Sequence, residues 1–256
     1  MFTPSLIAPI HRSGGVHLPP IVFWDDFMGS EAWGLEGAGA SSKWDVTGNA
    51  DAVAEINDAP GGIFRLDLGF QAGASTATMR QFREPFQVKK GRRFTVFARY
   101  RFDAVDNGGG SQPVDPDNGI PFQTHFGLGS LTTDPFDTQG VGAVGFYTLT
   151  NDTKYLAEIQ TIVDNAATGS GARRSSGQSV EGGKLYEYAI EYDGNNTVSF
   201  YLDGKMIRRS QEASAIPFGV DMALHLSIAG PNTTHKHRLD VDYVGAVFER
   251  LPEDQE

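Results

Sequence analysis

The run Phe94-Thr95-Val96-Phe97-Ala98-Arg99-Tyr100-Arg101-Phe102 puts Phe94, Val96, Ala98, Tyr100 and Phe102 on one side of an extended chain and both arginines on the other. Hydrophobicity that returns at every second residue fits a half-buried strand, whose side chains alternate between faces, and not a helix of 3.6-residue period. The block from Lys184 to Ser210 repeats the pattern three times. Tyr186, Tyr188, Ile190 and Tyr192 alternate with Glu187 and Glu191; Val198, Phe200 and Leu202 share one face; Lys205-Met206-Ile207 follows. Asp193-Gly194-Asn195-Asn196 and Asp203-Gly204 separate these runs. Asp-Gly between alternating runs marks a hairpin, because a type I′ turn needs positive φ at both central positions. The block therefore predicts an antiparallel meander.

Further strands are expected at Ile21–Phe27, Val53–Ile56, Phe64–Leu68, Thr76–Phe82, Phe122–Leu128, Val144–Leu149, Tyr155–Val163, Met222–Ile228 and Arg238–Phe248. Glycine supplies 31 of 256 residues, about 12% against the usual ~7%, and 13 prolines add further turns between short elements. Many short strands with almost no helical periodicity call for an all-β fold of two packed antiparallel sheets. Asp106–Pro121 and Asp164–Gly183 read as long polar loops. The expected organisation is an extended arm over 1–20, one β domain over 21–250 and an acidic tail over 251–256.

Charge excludes one function class. Lys and Arg number 21 against 32 Asp and Glu, a formal net charge of −11. A nucleic-acid binder gains most of its affinity by neutralising phosphates with cations. No cysteine is present, which removes disulfides, thiolate metal sites and thiol nucleophiles together. No stretch approaches the roughly 20 apolar residues that span a bilayer, and Pro4 and Pro9 break the opening apolar run, with His11 and Arg12 placed after it. A secretory leader has the reverse order. The expectation is a soluble chain made in the cytoplasm. Phe2, Leu6, Ile7 and Ile10 make the arm unusually apolar, so they are expected to contact a neighbouring subunit of a homo-oligomer; the alternative is a frayed terminus.

Tyr188-Ala189-Ile190-Glu191-Tyr192, Val198 through Lys205, and Leu239-Asp240-Val241-Asp242-Tyr243-Val244 resemble the closing strands of the concanavalin A-like lectin/glucanase superfamily. Phe23-Trp24-Asp25-Asp26-Phe27, with Trp33 and Trp44, is similar to the way many members begin. The resemblance implies a jelly-roll sandwich with a concave face. It does not by itself imply a function, since one sandwich hosts lectins, glycosidases, lyases and virion proteins.

Glycosidases of this superfamily carry a Glu-x-Asp-x-Glu or Glu-x-Asp-x-x-Glu strand, and retaining chemistry needs two carboxylates about 5–5.5 Å apart. The best match is Glu158-Ile159-Gln160-Thr161-Ile162-Val163, where Gln160 stands for the central aspartate and Ile162 or Val163 for the second glutamate. A lone Glu158 does not fill both roles, and no Gln-Ile-His strand of the alginate-lyase kind is present. The chain is therefore expected not to be an enzyme. Among metal candidates, His235 and His237 share a parity with Leu239, Val241 and Tyr243 but not with Asp240 and Asp242, so a joint His/Asp site would require a bulge, and Asp115-Pro116-Asp117-Asn118-Gly119 imitates a calcium loop that has Phe126 where its bidentate Glu belongs. The resemblance implies a structural calcium at Asp242; the other reading of Asp242 is an ion pair with a nearby arginine.

Sugar recognition needs an aromatic plane flanked by polar groups, and Trp33, between Ala32 and Gly34, is the expected carbohydrate contact. Two function classes remain. The first is a non-enzymatic structural protein of a tailed-phage virion, such as a capsid decoration protein. There the arm and loops touch capsid or other virion proteins, and the acidic body limits attraction to packaged DNA. The second is a lectin-like carbohydrate-binding domain; a glucanase-like hydrolase is more distant.

Overall fold

The computed structural model describes residues 20–26, 44–48, 53–57, 62–68, 74–81, 86–106, 111–112, 123–131, 142–150, 156–165, 173–231 and 235–250. Trp33 and the arm residues Phe2, Leu6, Ile7 and Ile10 lie outside these. In chain order the strands are β1 (Ile21–Asp25), β2 (Trp44–Gly48), β3 (Val53–Asn57), β4 (Ile63–Asp67), β5 (Ala74–Gln81), β6 (Phe86–Gln87), β7 (Phe94–Asp106), β8 (Ser111–Gln112), β9 (Gln123–Ser130), β10 (Ala143–Thr150), β11 (Leu156–Asp164), β12 (Arg174–Glu181), β13 (Tyr186–Tyr192), β14 (Val198–Leu202), β15 (Lys205–Ser210), β16 (Asp221–Pro231) and β17 (His235–Phe248). One 3-10 turn, Ala213–Ala215, precedes β16. Among the described residues no helix is long and apolar enough to cross a membrane.

The strands form two sheets. The back sheet runs β15-β14-β13-β7-β17-β4-β3, with β1 added to β17 and β8 to β7; the front sheet runs β12-β11-β10-β9-β16-β5-β2, with β6 added to β16. Every strand pair within them is antiparallel. The inward residues of β7 and β13, the very positions picked by alternation, meet those of β9 and β10. Tyr100 stacks on Tyr188 at 4.2 Å, and Phe146 meets Tyr188 and Phe200 edge-on at 5.2 and 5.3 Å. Burying an aromatic side chain of this size removes 150–250 Å² from water, and this is where most of the stability of such a sandwich arises.

The hairpin signals hold at the backbone level. Asp203 and Gly204 take φ of 48° and 75°, the doubly positive pair of a type I′ turn. At the other turn Asp193 Oδ1 accepts from the amides of Asn195, Asn196 and Thr197 at 2.8, 3.1 and 3.0 Å, which closes the β13–β14 connection without a tight loop.

Three expectations need correction. The presumed loop Asp164–Gly183 contains β12, whose sequence RSSGQSVE buries Val180 and leaves most of its other residues exposed. An edge strand bonded on one side, to β11, has no need of the apolar alternation by which a central strand declares itself. Within Asp106–Pro121, Ser111-Gln112 likewise pairs with β7. Finally, β17 carries a bulge between Val241 and Tyr243. The extra residue, Asp242, shifts the parity, so Tyr243 joins Asp240 on the outer face while His237 stays buried with Leu239 and Val241.

Candidate functional site

The face of the front sheet turned away from the core carries a row of chemically active side chains at a single level. Residues paired across the strands run Ser227, His125, Tyr147, Gln160 and Ser175, from β16 through β9, β10 and β11 to β12. Their chain neighbours Leu226, Phe126, Phe146 and Ile159 sit in the core, so strand alternation aims the row outward. The Ser227 Oγ and His125 Nδ1 atoms are 2.9 Å apart. The His125 ring stacks on Tyr147 at 4.8 Å, and the Arg173 guanidinium lies 3.7 Å from the centre of the Tyr147 ring. A cation held over an aromatic face gains about 0.5–2 kcal/mol, more when water is excluded.

Beside the row the sheet has a floor of small residues. Gly127 and Gly145 face one another, and Gly129 faces Ala143 and Ala223. A methyl group built on Gly127 would sit 2.2 Å from the Val144 carbonyl oxygen and 2.6 Å from Gly145 Cα, so the close approach of β9 to β10 admits glycine alone. His225 borders this floor opposite Gly127, and Ile162 borders it from β11. The β16–β9–β10 part is buried, with His125, His225 and Tyr147 each at most 2% exposed. The β11–β12 part is open: Glu158 and Gln160 are half-buried, and Arg173, Arg174 and Ser175 are exposed.

Glu158, Gln160, Ile162 and Asp164 line one face of β11, as the alternation requires. Six residues separate Glu158 from Asp164, about 20 Å at roughly 3.3 Å per residue. That is far beyond either the 5–5.5 Å of a retaining pair or the ~6.5–9.5 Å of an inverting one. Leu149 and Ser179 stand directly opposite Glu158. The exposed Glu181, one step along β12, is its diagonal neighbour.

The other predicted positions fall on the back sheet. Asp242 Oδ2 accepts from Arg99 Nη1 at 3.1 Å, the ion pair of the second reading. Burial pushes the Asp242 carboxyl up, the charge and hydrogen bond of Arg99 pull it down, and the neighbouring Asp26 pushes it up again; the net direction is upward. Calcium takes six to eight oxygen ligands. Among the described residues no three His, Asp or Glu side chains converge. His237 is buried, and among the described residues it belongs to no group of three such side chains.

Trp44 is 2% exposed, and its Nε1 donates to Asp25 Oδ2 at 2.9 Å, tying the first strand of the back sheet to the edge of the front sheet. Trp44→Phe removes that bond from a buried acceptor. We expect it to cost about 1–2 kcal/mol in urea unfolding, the range for leaving a buried polar group short of one partner. His125, Ser227 and Tyr147 were missed by the sequence reading because their partners are about 100 residues away in the chain for Ser227. Local signal was weak, since β9 also carries Gln123, Thr124 and Ser130 and β10 also carries Thr148 and Thr150.

No family model matches the chain, and no curated protein sequence matches it. Solved structures do match by fold. LamA of Zobellia galactanivorans, in complex with laminaritriose and laminaritetraose, is 12% identical over 90% of this chain and 98% of that one, with a TM-score of 0.55. LamAcat from the same organism is 12% identical over 91% and 98%, also with a TM-score of 0.55. A carbohydrate esterase from the Shiga toxin-encoding bacteriophage phi24B is 14% identical over 82% and 91%, with a TM-score of 0.48. The architecture is thus a concanavalin A-like jelly-roll sandwich.

Proposed function

We propose that this protein is a non-catalytic carbohydrate-binding domain that holds a glycan against the β11–β12 side of the front sheet. The row His125–Tyr147–Gln160 with Arg173 over Tyr147 carries the reading. The exposed guanidinium plane of Arg173, held over the buried Tyr147 ring, meets the apolar face of a pyranose, and the amide of Gln160 and the hydroxyl of Ser175 serve its hydroxyls. Gln160 stands where a hydrolase of this architecture has its central carboxylate, and an amide binds without transferring a proton at neutral pH.

Isothermal titration against a panel of neutral and acidic oligosaccharides, laminaritetraose included, tests this. Gln160→Ala and Arg173→Ala are expected to weaken binding at least tenfold, about 1.4 kcal/mol, and no reducing ends are expected to appear. Release of reducing ends that Glu158→Gln or Glu181→Gln abolishes would replace the lectin-like reading with a hydrolase.

One observation favours a second reading, a surface protein of a tailed-phage particle. Strand β1 is bonded only to β17 among the described residues, and Val22 on it is 60% exposed. An apolar edge strand that follows an apolar arm is suited to lie against a neighbouring subunit. Copurification of the chain with particles tests it.

A further inference from the structure

The outer face of the back sheet carries an aromatic plane that the front-sheet row does not use. Trp24 projects from β1 on the same side as Val22 and is 38% exposed. Its indole stacks on Tyr243 at 5.2 Å and 21°, and tilts against Phe97 at 5.5 Å. Two backbone features make this possible. The bulge in β17 turns Tyr243 outward. Gly245, paired with Trp24, leaves space for Phe97, whose Cζ would lie 2.6 Å from a methyl group there. One side of the indole is thus fixed from beneath.

The rim is polar and already paired. Arg99 and Asp242, with side chains 42% and 25% exposed, are joined at 3.1 Å. The Tyr243 hydroxyl donates to Glu187 Oε2. Burial and then the bond and charge of Glu187 push the Tyr243 phenol up, so it keeps its proton. A flat apolar plane beside a guanidinium–carboxylate pair matches the two sides of a sugar ring: C–H groups for the indole, adjacent hydroxyls for the pair. An apolar protein partner would strip water from Arg99 and Asp242 and return nothing to them. A hydroxylated ring replaces that water group for group.

We propose that Trp24 and Tyr243, with Arg99 and Asp242 at the rim, form a second carbohydrate site, for a neutral pyranose, on the sheet face opposite the first. Neutrality follows from the paired rim charges and from the net charge of −11. The place of this site does not depend on the front-sheet reading, although the class of ligand is shared with it.

The test is acrylamide quenching in a Trp33→Phe background. Trp44 is buried there, so Trp24 is the accessible indole of the two. The probes are cellotetraose, laminaritetraose, maltotetraose and mannotetraose. At least one is expected to protect Trp24 saturably. Trp24→Ala and Arg99→Ala should then lower the affinity for that probe at least tenfold in calorimetry, while saturable protection of Trp24 persists in Gln160→Ala. No protection by any of the four overturns the proposal. So does binding lost in Gln160→Ala but kept in Trp24→Ala, which leaves the front site alone. A dimer in sedimentation velocity that Trp24→Ala dissolves also overturns it, since a second copy then covers the plane.

Discussion

Replacing Gly127 by alanine should destabilise the fold by about 3 kcal/mol or more, the upper end of what overpacking a core costs. The obstacle is backbone: the added carbon meets the Val144 carbonyl at 2.2 Å and Gly145 Cα at 2.6 Å, neither of which swings away like a side chain. Relief requires β9 to move off β10 at the centre of the front sheet, which loosens the ladder that places His125 opposite Tyr147. For a chain of this size the loss corresponds to a fall in Tm of roughly 6–12 °C. Gly177→Ala is the control. Its φ of 70° is strained for alanine, but nothing lies within 4 Å and β12 is an edge, so about 1–2 kcal/mol is expected. Equal urea midpoints for wild type and Gly127→Ala would show that the two strands are not held this closely.

The second large effect concerns Asp240, which β17 sets between Arg65 on β4 and Arg101 on β7. Arg65 holds both of its oxygens, at 2.6 and 2.9 Å, and Arg101 reaches Oδ2 at 2.9 and 3.1 Å. Asp240 is 2% exposed. Asp240→Ala leaves two guanidinium groups facing each other across a nearly dry position. The expected cost is about 3 kcal/mol, the low end for breaking a buried pair because the Arg101 side chain is 33% exposed.

The pH dependence follows in sign. Burial alone pushes the Asp240 carboxyl up, but the hydrogen bonds and charges of Arg65 and then Arg101 outweigh it, and the net shift is downward. A carboxyl lowered in the folded state contributes its full stability above the unfolded value near 3.9 and loses it as pH falls through the folded value. The stability gap between wild type and Asp240→Ala should therefore be constant above about pH 5 and narrow in more acidic solution. A gap that widens on acidification would mean that the arginines do not hold the carboxylate.

Much of the sandwich is legible one strand at a time. Phe94 to Phe102 and the Lys184–Ser210 meander sit in the structure as their alternation requires, because a strand buried on one face must repeat every two residues. Edges escape this logic. The strand Arg174–Glu181 spends its polar residues on solvent and its ladder bonds on one neighbour, so composition makes it look like a loop. The bulge at Asp242 escapes too, since one inserted residue reverses every side chain after it and no local signal marks the insertion.

The candidate sites divide in the same way. Residue types alone established that the strand around Glu158 has an amide at its central position, that no thiol chemistry is available, and that the body repels polyanions, because each of these follows from which groups are present. Which groups stand together was settled by strand pairing. Register brought Ser227 to His125 and His125 to Tyr147, gave Asp242 to Arg99, and set Trp24 over Tyr243. These neighbours are far apart in the chain, and the distances between them depend on how β16, β9, β10, β17, β7 and β1 lie side by side. That arrangement is chosen by the whole core at once, since shifting any one strand by a single residue would turn its apolar face to water.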